Sequence, residues 1–185
     1  YTLAYGDYLN YYFDYSLPVL LHESNTGALN REGFDVEFLL YTIDNKEDIK
    51  KQYENHPFFD ENKIKIIKFD SKGEQTARKI ASHAVIDVLR KTLDEKAILY
   101  LGTPDFIIGN GSLFNSVIMS YGKNTCFGSA QPRVSPDILN HIKPQNAEGI
   151  ENSKLVKLAM EFGHESFKYA DEILEKNTTC LLYTS

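Results

Sequence analysis

The clearest order in this chain is an alternation that turns into a continuous apolar run. Phe34, Val36 and Phe38 alternate with Asp35 and Glu37, and Leu39, Leu40, Tyr41 and Thr42 then follow without a charge. Such a run predicts a strand over 34–42 that becomes buried on both faces. Ile64 to Phe69 predicts a second strand and Ala97 to Leu101 a third. Thr125 to Phe127 predicts a weak fourth.

Helical spacing separates these strands. Asp44 or Asn45 can cap a helix running to about Asn55. From Glu74 to Leu93, the residues Ala77, Ile80, Ala81, Ala84, Val85, Val88 and Leu89 form one apolar face. Leu113 to Tyr121 predicts a short helix ended by Gly122, and Pro136 to Ile142 another opening after Ser135. Ser153 to Glu175 predicts a long amphipathic helix. Tyr1 to Leu21 is crowded with Tyr8, Tyr11, Tyr12, Phe13 and Tyr15, spaced as in a helix, with Pro18 fitting best near a helix start or break. Asn25 to Ala28 reads as a turn.

Strands alternating with helices predict an α/β fold, a mostly parallel sheet flanked by helices. The 185 residues suit one domain over 1–179, expected to be truncated at both ends. Residues 144–152 are the one seam between subregions. The final stretch, Cys180 to Ser185, resembles a translated adaptor of the kind carried by metagenomic fragments, and 180–185 is expected to be a non-native tail.

The hydrophobic share of 42%, the charged share of 25% and the net charge of −6 are those of an ordinary globular chain. No basic stripe interleaved with aromatics is present, which argues against nucleic acid as a partner. No run of about 18 apolar residues exists to span a bilayer. The two cysteines, Cys126 and Cys180, form no framework, which fits a reducing, cytoplasmic setting with any membrane association made through partners.

The candidate chemistry gathers after the third predicted strand. Asp105 follows Pro104 just past the strand's end, where a carboxylate can hold a divalent cation, accept a sugar hydroxyl or simply close a turn. Gly109, Asn110, Gly111 and Ser112 follow. Glycines allow close backbone approach, and Ser112 can cap the next helix, whose amides can meet a phosphate. A plain tight turn reads equally well. Of the histidines, His22 and His164 are the most prominent, but no metal-ligand spacing accompanies them. Ser24, Ser112 and Ser129 lack a nucleophile elbow. Arg133 suits either a phosphate contact or a solvated loop. The tyrosines near the start suit core packing or stacking on a base or sugar.

Several segments together resemble a family of nucleotide-sugar glycosyltransferases with a GT-A-like fold found among bacterial surface-polysaccharide enzymes. They are Tyr5-Gly6 through Leu17 to Leu21, Asn25 to Leu29 with the family's Asn-x-x-Ala-Leu turn, and Phe38 to Thr42 ending in a Tyr-Thr pair. Pro104-Asp105 with Gly109 to Leu113 is similar to the family's Pro-Asp and Ser-Asp-Gly-Ser-Leu stretch, and Ser153 to Ala159 with His164 to its late helix. The resemblance implies transfer of a sugar from a nucleotide-diphosphate donor to a glycan or lipid-linked acceptor. It implies a donor site of Asn25, Thr42, Asp105, Gly109, Asn110, Gly111 and Ser112, with Asp105 toward Mn²⁺ or Mg²⁺. The chain departs from the pattern in having no Asp-x-Asp, and Asn110 stands where the family often has Asp, which weakens the case for a metal. Glu23, Asp137 and His164 are the candidate bases by type. The alternative is a non-catalytic α/β domain, either a degenerate transferase or an interaction module.

Overall fold

The computed structural model describes residues 1–70, 73, 76–123, 134–142 and 149–163. Three parallel strands form the sheet: β1 (Thr2–Leu3), β2 (Phe38–Thr42) and β3 (Ile64–Lys68), in the order β1-β2-β3. Thr2 lies level with Leu40, and Leu40 with Ile66. The described chain is thus α/β, with a small sheet.

The segment expected as a strand over Ala97–Leu101 pairs only at its end. Thr2 bridges Gly102 in parallel, the Tyr1 nitrogen donates to the Tyr100 carbonyl at 2.9 Å, and the Gly102 N–H donates to the Tyr1 carbonyl at 2.9 Å. This short ladder lies on the side of β1 away from β2. The chain therefore steps from β1 to β2 to β3 in one direction, then crosses back to the far side of β1.

β2 is buried on both faces, as its apolar run requires. Leu39 and Tyr41 pack against Ala84 and Val88 of α5 (Ala77–Glu95), with Leu3, Ile67 and Leu99 alongside. Leu89, placed on the apolar face by spacing, is 42% exposed. Phe38 and Leu40 face the larger core, which the remaining helices fill.

β1 replaces the expected helical start. It leads into α1 (Tyr8–Tyr11), a π-helical turn (Tyr12–Ser16) and α2 (Leu17–Leu21). Pro18 has no N–H to continue an α-helical ladder, and the wider turn before it, with the Leu17 N–H reaching the Tyr12 carbonyl, accommodates the ring. The expected turn at Asn25 is a second π-helical turn (Glu23–Gly27) running into α3 (Ala28–Arg31). α4 (Lys46–Tyr53) is capped by Asn45, whose side-chain oxygen accepts the Glu47 N–H at 3.1 Å. α6 (Ser112–Ser120) and α7 (Asn152–Glu161) follow; residues 136–140 form a 3₁₀ turn rather than an α-helix. The described part of the expected seam, 149–152, bonds to Asn110. The predicted fourth strand, Arg133, Ser129, Cys126, His164, the rest of the last helix and 180–185 lie outside the described residues.

Candidate functional site at the carboxyl edge of the sheet

When strand order reverses in a parallel sheet, the loops leaving the two strands at the reversal part in opposite directions and open a crevice at their carboxyl ends. Here those strands are β1 and the 100–102 segment. Thr2 is level with both Gly102 and Leu40, so Gly6, Asp44 and Asp105 all lie a few residues beyond the same edge.

Asp105 occupies the third position of a turn closed by the Phe106 N–H donating to the Thr103 carbonyl at 3.1 Å. Pro104 sits at the second position, where its fixed φ favours the turn. The Asp105 side chain makes no described polar contact, and the residue is exposed at the edge. Thr42 is wholly buried at the end of β2. Its hydroxyl accepts the Asp44 N–H at 3.1 Å, and the Asp44 carboxylate accepts the Gly6 N–H at 2.7 Å. Gly6 has φ +56°, a conformation glycine takes at little cost. Thr42 thus fixes Asp44, and Asp44 fixes the loop leaving β1. Neither Gly6 nor Asp44 stood out in the sequence as a site residue; a glycine and an aspartate just past two apolar runs were the available signal.

Beside this, at the ends of β2 and β3, lies an open depression lined by Ile43, Lys68, Phe69 and Asp70. Lys68 brings positive charge to an edge otherwise lined with carboxylates. A small, partly open cavity of about 50 Å³ lies at the opposite edge, among Tyr12, Leu20, Phe38, Tyr100 and Leu113. It has room for water but not for a substrate.

The Gly109–Ser112 loop and Asn25 do come together, and they bond chiefly to each other. Asn25 is 1% exposed. Its amide nitrogen donates to the Val19 carbonyl at 2.8 Å and to the Gly109 carbonyl at 3.4 Å, and its amide oxygen accepts the Leu113 N–H at 3.0 Å. The Ser24 hydroxyl accepts the Gly111 N–H at 3.0 Å and lies 2.8 Å from Nδ1 of His22. Asn110 exchanges bonds with Ile150: its N–H donates to the Ile150 carbonyl and its side-chain oxygen accepts the Ile150 N–H, both at 2.9 Å. The side-chain nitrogen of Asn152 donates to the Asn110 carbonyl at 3.1 Å.

The expected cap by Ser112 is therefore replaced. Gly111, at φ +73°, is the capping position and Ser112 the first helical residue, while Asn25 and Ser24 satisfy the α6 amides from the other side of the loop. Gly109 and Gly149 lie close against neighbouring side chains here. A Cβ on Gly109 would collide with the Asn152 side chain, and one on Gly149 with the Asn110 amide and the His22 ring.

Among the candidate bases, Glu23 pairs with Arg31 at 3.1 Å, and Asp137 accepts from the Ser135 hydroxyl at 2.9 Å within the 3₁₀ turn. Among the described residues, no three His, Cys, Asp or Glu side chains gather in a way that could hold a metal ion. No described helix is long and apolar enough to cross a membrane. No protein-family model, curated protein or solved structure matches the chain.

Proposed function

We propose that the chain is a GT-A-like glycosyltransferase that moves a sugar from a nucleotide-diphosphate donor to a hydroxyl of a glycan or lipid-linked acceptor. The observation that carries this reading is the position of Asp105, an exposed carboxylate on a proline-set turn just past the carboxyl end where the 100–102 segment pairs with β1. There it accepts hydrogen bonds from hydroxyls of the donor. The Gly6 loop, held by Asp44, leaves β1 beyond the same edge of the sheet. Asn25, Asn110 and the two glycines of the 109–112 loop act as positioning residues, because their polar groups are committed to one another.

A second reading, a non-catalytic α/β domain, is favoured by that same commitment. Amides of a helix start that are capped from within are not offered to a phosphate.

A thermal-shift panel of UDP-, GDP-, ADP- and dTDP-sugars, each in Mn²⁺ and in EDTA, separates the two. A donor at about 100 times its Kd adds about 2.7 kcal/mol to the native state and raises the melting temperature. The transferase reading expects a saturable shift with at least one donor. The absence of a shift with every donor favours the non-catalytic domain.

A further inference from the structure

Helix α5 carries a second apolar face that the sheet does not use. Ile80, Ala84 and Val88 are buried, and Ala84 and Val88 pack against Leu39 and Tyr41 of β2. At about 3.6 residues per turn, the opposite side of the helix is centred on Ser82 and Leu93. Ile86, Leu89 and Leu93 lie on that side and are exposed, Leu93 to 76%. Leu89, which spacing groups with the inner face, belongs to this outer one.

Charge sets this face apart from the rest of the chain. Arg78 stands at one margin and Lys79 and Arg90 at the other, all three exposed. Arg78 and Arg90 form no ion pair with a described residue. The carboxylates of α5 lie off the face. Asp87 accepts the Tyr41 hydroxyl at 2.8 Å, Glu95 lies 3.9 Å from Lys91, and Asp94 is about 100° further round than Leu93. The chain has 26 acidic residues against 20 basic ones, so a face with cations on both margins and no carboxylate between them runs against its overall charge. Its complement is a surface that is both anionic and apolar.

That complementarity selects the occupant. A two-fold contact with a second copy centred on Leu89 would bring Arg90 of one copy toward Arg90 of the other. Protein partners are held chiefly by aromatic anchors, and the three apolar residues here are all aliphatic. An anionic bilayer surface takes this pattern as it stands. Aliphatic side chains enter the acyl boundary, and the long stems of Arg and Lys carry their charges to the headgroup phosphates.

We propose that the outer face of α5 docks the protein directly on an anionic membrane surface, with Ile86, Leu89 and Leu93 inserted among the headgroups and Arg78, Lys79 and Arg90 on the lipid phosphates. The helix lies in the interface and does not span it. The docking does not rest on the transferase reading.

The test is co-sedimentation of the full chain with vesicles of phosphatidylcholine alone and of phosphatidylcholine with about 30% phosphatidylglycerol. Each is measured at about 0.1 M and about 0.5 M salt. The expected result is binding to the anionic vesicles that weakens at the higher salt and is at least about fivefold weaker on phosphatidylcholine alone. Two doubly substituted chains separate charge from insertion. Arg78→Gln with Arg90→Gln, and Leu89→Ser with Leu93→Ser, should each weaken binding by about tenfold or more. All four positions are exposed, so both chains should keep the parent's melting temperature. Vesicle binding is expected whether or not any nucleotide-sugar shifts that temperature. Absence of binding to the anionic vesicles overturns the docking in favour of an acidic protein surface as the complement. Equal binding by either substituted chain also overturns it. Dimers in sedimentation velocity that the Leu89→Ser, Leu93→Ser chain no longer forms would assign the face to a second copy instead.

Discussion

The amide oxygen of Asn25 accepts the backbone N–H of Leu113 at 3.0 Å, joining residues 88 positions apart. One buried side chain thereby caps α6 and ties it to the turn that follows α2. Removing that side chain leaves the Leu113 N–H and the Val19 and Gly109 carbonyls without it. Asn25→Ala should cost about 2–4 kcal/mol, since each buried group left unpaired costs about 1–3 kcal/mol. Urea unfolding checks this; a change within experimental error would mean that the loop re-satisfies these groups by itself.

Gly149 and Gly33 separate two costs. Both have positive φ, +67° and +84°, but a Cβ on Gly33 meets nothing within 4 Å, whereas one on Gly149 meets Asn110 and His22. Gly33→Ala should cost about 1 kcal/mol, the backbone term alone. Gly149→Ala should add about 1–3 kcal/mol of overpacking to it. Equal midpoints for the two variants in parallel denaturation curves would contradict the close packing of 149 against 110.

Alkaline pH should destabilise the fold. Burial pushes the phenols of Tyr53 and Tyr100 up to about 12, with the Asp14 charge adding to the shift at Tyr53. Burial also raises Tyr12 and Tyr41, the latter further through its bond to Asp87. An unfolded chain ionises its tyrosines near about 10, so above that pH the folded chain holds more protons and stability falls as pH rises. Urea midpoints should hold level from these phenols' standpoint below about 10 and drop between 10 and 12. A midpoint constant through pH 11 would contradict the burial of these rings.

The cap of α4 offers a smaller effect. Asn45→Ala removes the oxygen that accepts the Glu47 N–H and should cost about 1 kcal/mol. Loss of several kcal/mol would show that Asn45 also holds the neighbouring Asp44 loop.

The parts of this fold that could be read from the residues are those that local pattern dictates. The run ending at Thr42 predicts a strand covered on both faces, and Leu39 and Tyr41 do face α5 while Phe38 and Leu40 face the larger core. Asn45 as a cap follows from its place before a helical period. β1 escaped that reading because it is two residues long and runs at once into tyrosines with helical spacing; only its pairing with Leu40 and Tyr41 defines it. The third strand expected over Ala97–Leu101 does not form as such; a single bridge at Gly102, one residue past it, and the Tyr1–Tyr100 bond join the chain to the far side of β1, a partner the local pattern could not show. Asn25 shows the same limit within the candidate site. Residue type announces a group able to make several hydrogen bonds, and only the folded chain shows that it makes them with Val19, Gly109 and Leu113.

In the proposed transferase, the carboxyl end of β1 and the 100–102 segment takes a nucleotide-sugar through Asp105. Asp105 is exposed and makes no described polar contact, so Asp105→Ala should leave the melting temperature unchanged. The decisive measurement is titration of the donor that gives the largest thermal shift into the parent chain and into Asp105→Ala. The parent should give a saturable isotherm and the variant one weakened by about tenfold or more, the loss of a charge-assisted hydrogen bond. Identical isotherms for the two chains would contradict it.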